Sequence, residues 1–173
     1  MTHVALLRGV NVGGKNKLPM KALVALFEDL GCEAVRTYIQ SGNVIFEAKS
    51  TEGLADRIAA RIEADHGLRV PVVLRTAESL ARIRDDNPFP DADPKALHVM
   101  FLRDAPAPAK VGALDPDRSP GDAFVVRGAN VYVCCPNGVA RTKLTNAWFD
   151  AQLGTVSTGR NWRTLGKLIE LSS

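Results

Sequence analysis

Histidine, cysteine and long apolar runs are all scarce in this chain, and each scarcity removes a class of chemistry. The three histidines, His3, His66 and His98, are dispersed without the ligand spacing of a zinc site. No G-x-S-x-G elbow occurs, and neither a metal nor a cofactor is expected. The three cysteines, Cys32, Cys134 and Cys135, are an odd count without an export signal, so no disulfide framework is expected. If Cys134 and Cys135 lie in a strand, their side chains alternate, and at most one of them packs inward. No apolar run approaches the roughly 20 residues that span a bilayer. The first eight residues lack the basic region and apolar stretch of a secretory signal. A cytoplasmic location with no membrane partner is the expectation.

What remains is ordinary globular composition, 46% hydrophobic and 24% charged over 173 residues, enough for one sizeable core or two small ones. The net charge of +3 is too small to imply nucleic acid by itself. Its distribution is more informative. Six basic residues stand against two acidic ones between Arg127 and Glu170.

Hydrophobic periodicity divides the chain. His3 to Arg8 reads as a strand apolar on both faces. A helix starts near Pro19, with Leu23, Leu26, Phe27 and Leu30 at helical spacing. Ala34–Gln40 and Val44–Ala48 form a hairpin across Gln40-Ser41-Gly42-Asn43, Leu54, Ile58 and Ile62 stripe a second helix, and Val70–Leu74 reads as an edge strand because of Pro71. The order βαββαβ is that of a ferredoxin-like sandwich. A short helix, Ala77–Arg84, closes a first domain at 1–84, and the acid- and proline-rich stretch 85–94 reads as a linker. In 95–173, strand patterns at Ala96–Leu102, Ala123–Arg127 and Asn130–Cys134 and helical patterns at Arg141–Leu153 and around Trp162–Ile169 give a second, degenerate βαββα part. The class is α+β.

The chemistry-bearing residues fall in two clusters. The first is Arg8-Gly9-Val10-Asn11-Val12-Gly13-Gly14-Lys15-Asn16-Lys17. It matches the phosphate-binding loop up to its lysine, but Asn16 stands where a hydroxyl must reach magnesium. Asn11 also replaces the second glycine of the dinucleotide fingerprint. A weaker reading survives, in which Gly13 and Gly14 expose backbone N–H groups as an anion nest and Arg8, Lys15 and Lys17 supply charge. Strands one and two run parallel in a βαββαβ sandwich, so Gln40, Ser41 and Asn43 belong at the same edge. The second cluster, Arg141 and Lys143 with Arg160 and Asn161, lies at the starts of helices, where free N–H groups favour anions. Turn chemistry and helix capping account for many of the same residues.

Leu6–Lys17 and Arg36–Val44 closely resemble the bacterial family catalogued as domain of unknown function 1697. Asn87-Pro88-Phe89-Pro90, Arg141–Asn146 and Thr158–Trp162 resemble its later blocks. Gly159 and Arg163 depart from the pattern, where threonine and asparagine are usual. The resemblance implies a ferredoxin-like first part and carries no activity, cofactor or substrate.

Three readings stand open. One is a binding module for a phosphate-bearing small ligand, closed by Arg141, Lys143, Arg160 and Asn161, with a nucleic-acid backbone as a variant of the same chemistry. The second is a metal-independent enzyme acting on a phosphorylated or acyl substrate, with Arg8 and the loop amides stabilising negative charge. The third is a structural or interaction protein.

Overall fold

The computed structural model describes residues 1–173, in two units: Met1–Ala81 with Leu168–Ser173, and Arg82–Lys167. The first unit contains β1 (Thr2–Leu7), α1 (Met20–Asp29), β2 (Glu33–Tyr38), β3 (Asn43–Glu47), α2 (Leu54–His66) and β4 (Val72–Thr76). Its antiparallel sheet has the order β2-β3-β1-β4, the ferredoxin-like arrangement read from the sequence, and β4 is at an edge. The alternation of β1 places Ala5 and Leu7 in one core with Leu23, Phe27, Ile58 and Ile62 of the two helices. Burying each large side chain there contributes about 1.5–3 kcal/mol. Pro19 stands one position outside α1, with ψ of 134°, rather than in its first turn.

The boundary between the units falls inside α3 (Ala77–Asp85). The second unit then holds β5 (Leu97–Leu102), α4 (Pro108–Gly112), β6 (Ala123–Arg127), β7 (Asn130–Cys134), α5 (Asn146–Leu153) and β8 (Ser157–Asn161). α6 (Trp162–Ser172) ends in the first unit, where Arg36 donates to the Leu171 carbonyl. In the second unit the Tyr132 hydroxyl donates to the Ile83 carbonyl at 2.6 Å.

This unit differs from the sequence pattern in three respects. It carries one strand more, β8, so its order is a full βαββαβ. The expected Arg141–Leu153 helix starts only at Asn146. There the Thr145 hydroxyl takes the Trp148 N–H at 3.2 Å, and the buried face is Phe149 and Leu153. Cys134 and Cys135 are both buried, because each face of the sheet end is covered. Cys135 joins Leu144 and Phe149, and Cys134 packs with Leu97, Phe89 and Trp162.

The second sheet has the order β6-β7-β5-β8 and repeats the register of the first along its central strand. His3 faces Phe46 and Thr76 across its two neighbours, and Val4 faces Ile45 and Arg75. His98 faces Val133 and Asn161, and Val99 faces Tyr132 and Arg160, in the same register. The irregular bonds repeat too. Leu7 N–H donates to the Gly42 carbonyl at 2.9 Å and Leu102 N–H to the Ala129 carbonyl at 2.8 Å; Arg8 N–H and Arg103 N–H donate to the Pro71 and Val156 carbonyls. The chain is an internal duplication, so each half serves as a control for features of the other.

Candidate functional site

The loop from Arg8 to Leu18 is held by two asparagines in left-handed backbone, Asn11 at φ 54° and Asn16 at φ 52°, a conformation that asparagine tolerates better than most residues. Asn11 Nδ2 donates to the Leu18 carbonyl at 2.9 Å and to the Gln40 carbonyl at 2.8 Å, and its Oδ1 accepts from Leu18 N–H at 2.8 Å. Asn16 Nδ2 donates to the Gly9 carbonyl at 3.0 Å. Asn11 therefore serves this edge as a scaffold, with its amide fully engaged.

Gly13 and Gly14, at φ 58° and 73°, lie between Val12 and Lys15, and Lys15 N–H donates to the Val12 carbonyl at 3.0 Å. Two successive left-handed residues form the type I′ turn of a two-residue hairpin. An anion nest instead alternates right- and left-handed residues, so this glycine pair shapes a projecting tip. The amides of Gly13 and Gly14 have no acceptor within the chain.

The turn from β2 to β3 meets this loop as parallel β1 and β2 require. Gly42 (φ 88°) approaches Leu7 so closely that a Cβ there would lie 2.8 Å from the Leu7 Cβ. Asn43 is wholly buried, its amide donating to the Tyr38 carbonyl at 3.1 Å and to Ser41 Oγ at 3.3 Å. Ile39, a β-branched residue at φ 50°, is 51% exposed. Such a residue costs about 1–2 kcal/mol in left-handed backbone, a strain held by the bonds on either side of it. A concavity of about 520 Å³ opens here, lined by Asn11, Gly14, Lys17, Leu18, Pro19, Met20 and Gln40.

Thus Arg8, Asn11, Gly13, Gly14, Lys15, Lys17, Gln40, Ser41 and Asn43 meet at one end of the first sheet, with Asn11 and Asn43 as scaffold and both lysines exposed. The second unit lacks an equivalent. Its β6–β7 turn has only Gly128 and Ala129 between paired Arg127 and Asn130, and the segment after Arg103 contains neither glycine nor lysine before α4.

Arg141, Lys143, Arg160 and Asn161 lie in the second unit. Arg141 and Lys143 are exposed in the loop before α5, with Lys143 N–H bonded to Ser119 Oγ at 3.1 Å. Arg160 Nη1 donates to Thr158 Oγ1 at 2.8 Å and to the Gly159 carbonyl at 2.7 Å. Burial pushes its guanidinium down to about 10, as it does that of Arg75 at the equivalent position of β4. Asn161 Oδ1 caps α6 by accepting from Thr164 N–H at 2.8 Å.

Burial pushes the Cys32, Cys134 and Cys135 thiols up, which keeps them protonated at neutral pH. No three His, Cys, Asp or Glu side chains gather as metal ligands, and no helix is long and apolar enough to cross a membrane.

A family model described as "Protein of unknown function (DUF1697)" matches residues 1–132. A solved structure, that of the conserved bacterial protein SP0830 from Streptococcus pneumoniae, is similar at a TM-score of 0.75 and 20% identity, over 99% of this chain and 98% of that one. At that identity the likeness concerns the fold. No curated protein matches the chain.

Proposed function

The chain belongs to the DUF1697 family, and on the geometry of its first unit we propose that it is a binding module for a phosphate-bearing small ligand. The site is the edge formed by Arg8–Leu18 and Ile39–Asn43. One observation carries the reading: Asn11 fastens the loop to Gln40, joining two segments that carry cations and no acid of their own. From Arg8 to Phe27 the chain has Arg8, Lys15, Lys17 and Lys21 and no aspartate or glutamate, and none occurs from Ala34 to Phe46. A loop fixed before binding loses little further entropy when a ligand arrives.

In this reading Arg8, Lys15 and Lys17 neutralise the phosphate, by charge-assisted hydrogen bonds that are stronger than neutral ones. Gln40 and Ser41 bond the remainder of the ligand. The concavity of about 520 Å³ is within the usual range for small-molecule sites. An enzymatic role fits less well, because neither segment contains a histidine or carboxylate to act as general base.

The test is a thermal-shift screen against nucleotides, phosphosugars, polyphosphates and short oligonucleotides, with Arg8→Ala and Lys15→Ala alongside. A ligand that raises the melting temperature of the unaltered chain but not of the variants places it at this edge. A response confined to oligonucleotides, falling steeply with salt, assigns the edge to a nucleic-acid backbone instead.

A further inference from the structure

The duplication exposes a second site when the two halves are compared at corresponding positions. In the first unit His3 stacks on Phe46, with ring centroids 5.6 Å apart. The cross-strand partner of His98 is Val133, much smaller than Phe46. Beyond the last strand of each sheet, Thr76-Ala77-Glu78 corresponds to Asn161-Trp162-Arg163, since Thr76 pairs with His3 and Asn161 with His98. Space has thus replaced a ring, a large indole has replaced a methyl group, and a cation has replaced an acid. The result is a concavity of about 450 Å³ lined by Pro94, Lys95, His98, Asn161, Trp162 and Arg163.

Its polar groups are under-used within the protein. Neither Lys95 nor Arg163 has a carboxylate partner. Asn161 spends its Oδ1 on the cap of α6 and leaves its Nδ2 without an acceptor in the chain. His98 Nδ1 is buried without a hydrogen-bond partner, a condition that a buried polar atom rarely tolerates unless something else compensates. No acidic side chain lines the cavity.

We propose that this pocket binds a small organic anion bearing a planar ring. Its charged group is held between Lys95 and Arg163 and receives the Asn161 amide, and its ring lies against the Trp162 indole, which is half-buried and offers a flat apolar face. All of its lining residues belong to the second unit, and the glycine-rich edge belongs to the first.

The probes are adenosine 5′-monophosphate, benzoate and inorganic phosphate, titrated against Trp162 fluorescence in a Trp148→Phe background and by calorimetry on the unaltered chain. The nucleotide and benzoate should quench saturably, and phosphate should bind at least about tenfold more weakly because it lacks a ring. Arg163→Glu, which installs the charge that the first unit carries at Glu78, and Lys95→Ala should each weaken binding by about tenfold or more. Both residues are exposed, so stability should be unchanged. No saturable response to any probe up to about 10 mM, where even a millimolar site would fill, overturns the proposal. Affinity indifferent to both variants overturns it too, and phosphate binding as tightly as the nucleotide removes the planar ring from it.

Discussion

Asn11 Nδ2 and the Gln40 carbonyl, 29 residues apart in sequence, meet at 2.8 Å, and the loop after β1 is thereby tied to the turn after β2. With its two bonds to Leu18, this side chain does the work of a short strand pairing. Asn11→Ala should cost about 3 kcal/mol, because each of the three lost bonds is worth roughly 1 kcal/mol net at a partly solvated site. Urea unfolding measures it, and a loss under about 0.5 kcal/mol, the scatter of ordinary surface substitutions, would show that the loop holds itself without Asn11.

Gly42 and Gly13 both have positive φ but differ in surroundings. At Gly42 an added Cβ meets Leu7, and at Gly13 nothing lies within 4 Å. Gly13→Ala should cost about 1 kcal/mol, the conformational penalty alone. Gly42→Ala should cost at least about 2 kcal/mol, since backbone must shift as well. Parallel denaturation curves compare the two directly, and equal costs would mean that the close approach of turn and strand carries no energy.

The duplication predicts a compensation. Ala5 pairs with Leu74 in the first sheet and Met100 with Gly159 in the second, so small and large side chains have exchanged strands. A Cβ on Gly159 would lie 2.8 Å from Met100 Sδ. Gly159→Leu alone should therefore overpack the sheet, and Met100→Ala alone should leave a void. Together they should recover at least about 1 kcal/mol, read as the coupling of a double-mutant cycle.

Acid should weaken the fold by a route that the sequence does not advertise. Burial pulls the His3 imidazole below its ordinary value, the positive N-terminus lowers it further, and the Ala48 carbonyl partly offsets this. Burial does the same to His98. Just below about pH 6.5 the unfolded chain takes up protons that the folded one refuses, so stability is fully present above that pH and declines as pH falls through it. His3→Gln should flatten that decline in melting temperatures measured from pH 7.5 to 5; an unchanged slope would remove His3 from the account.

The first sheet was legible because its strands carry apolar alternation and its turns carry glycine and asparagine. β8 was not, since Ser157-Thr158-Gly159-Arg160-Asn161 has no such alternation and is a strand by virtue of pairing with β5. Residues 141–145 looked helical because Leu144 shares a spacing with Trp148. Bonds from Lys143 N–H to Ser119 and from Leu144 N–H to Thr142, non-local or too short in span for periodicity to register, hold them as a loop. The duplication has a sequence trace, His3-Val4-x-x-Leu7-Arg8 against His98-Val99-x-x-Leu102-Arg103, too short and too far separated to stand out as a repeat. At the candidate site, topology was enough to gather Arg8–Lys17 with Gln40–Asn43. The role of Asn11 was hidden because it depends on a left-handed backbone that composition does not reveal.

The claim that this edge holds phosphate is tested most directly by isothermal titration of the strongest thermal-shift ligand into the unaltered chain and into Arg8→Ala, Lys15→Ala and Lys17→Ala. Each variant should lose about tenfold in affinity, the worth of one charge-assisted contact, and Lys15→Ala and Lys17→Ala should keep their fold, because both lysines are exposed and take no part in the bonds that fasten the loop. Undiminished affinity in all three, or no phosphate-bearing ligand that binds at all, would contradict the account and leave the glycines and asparagines of this loop as turn formers.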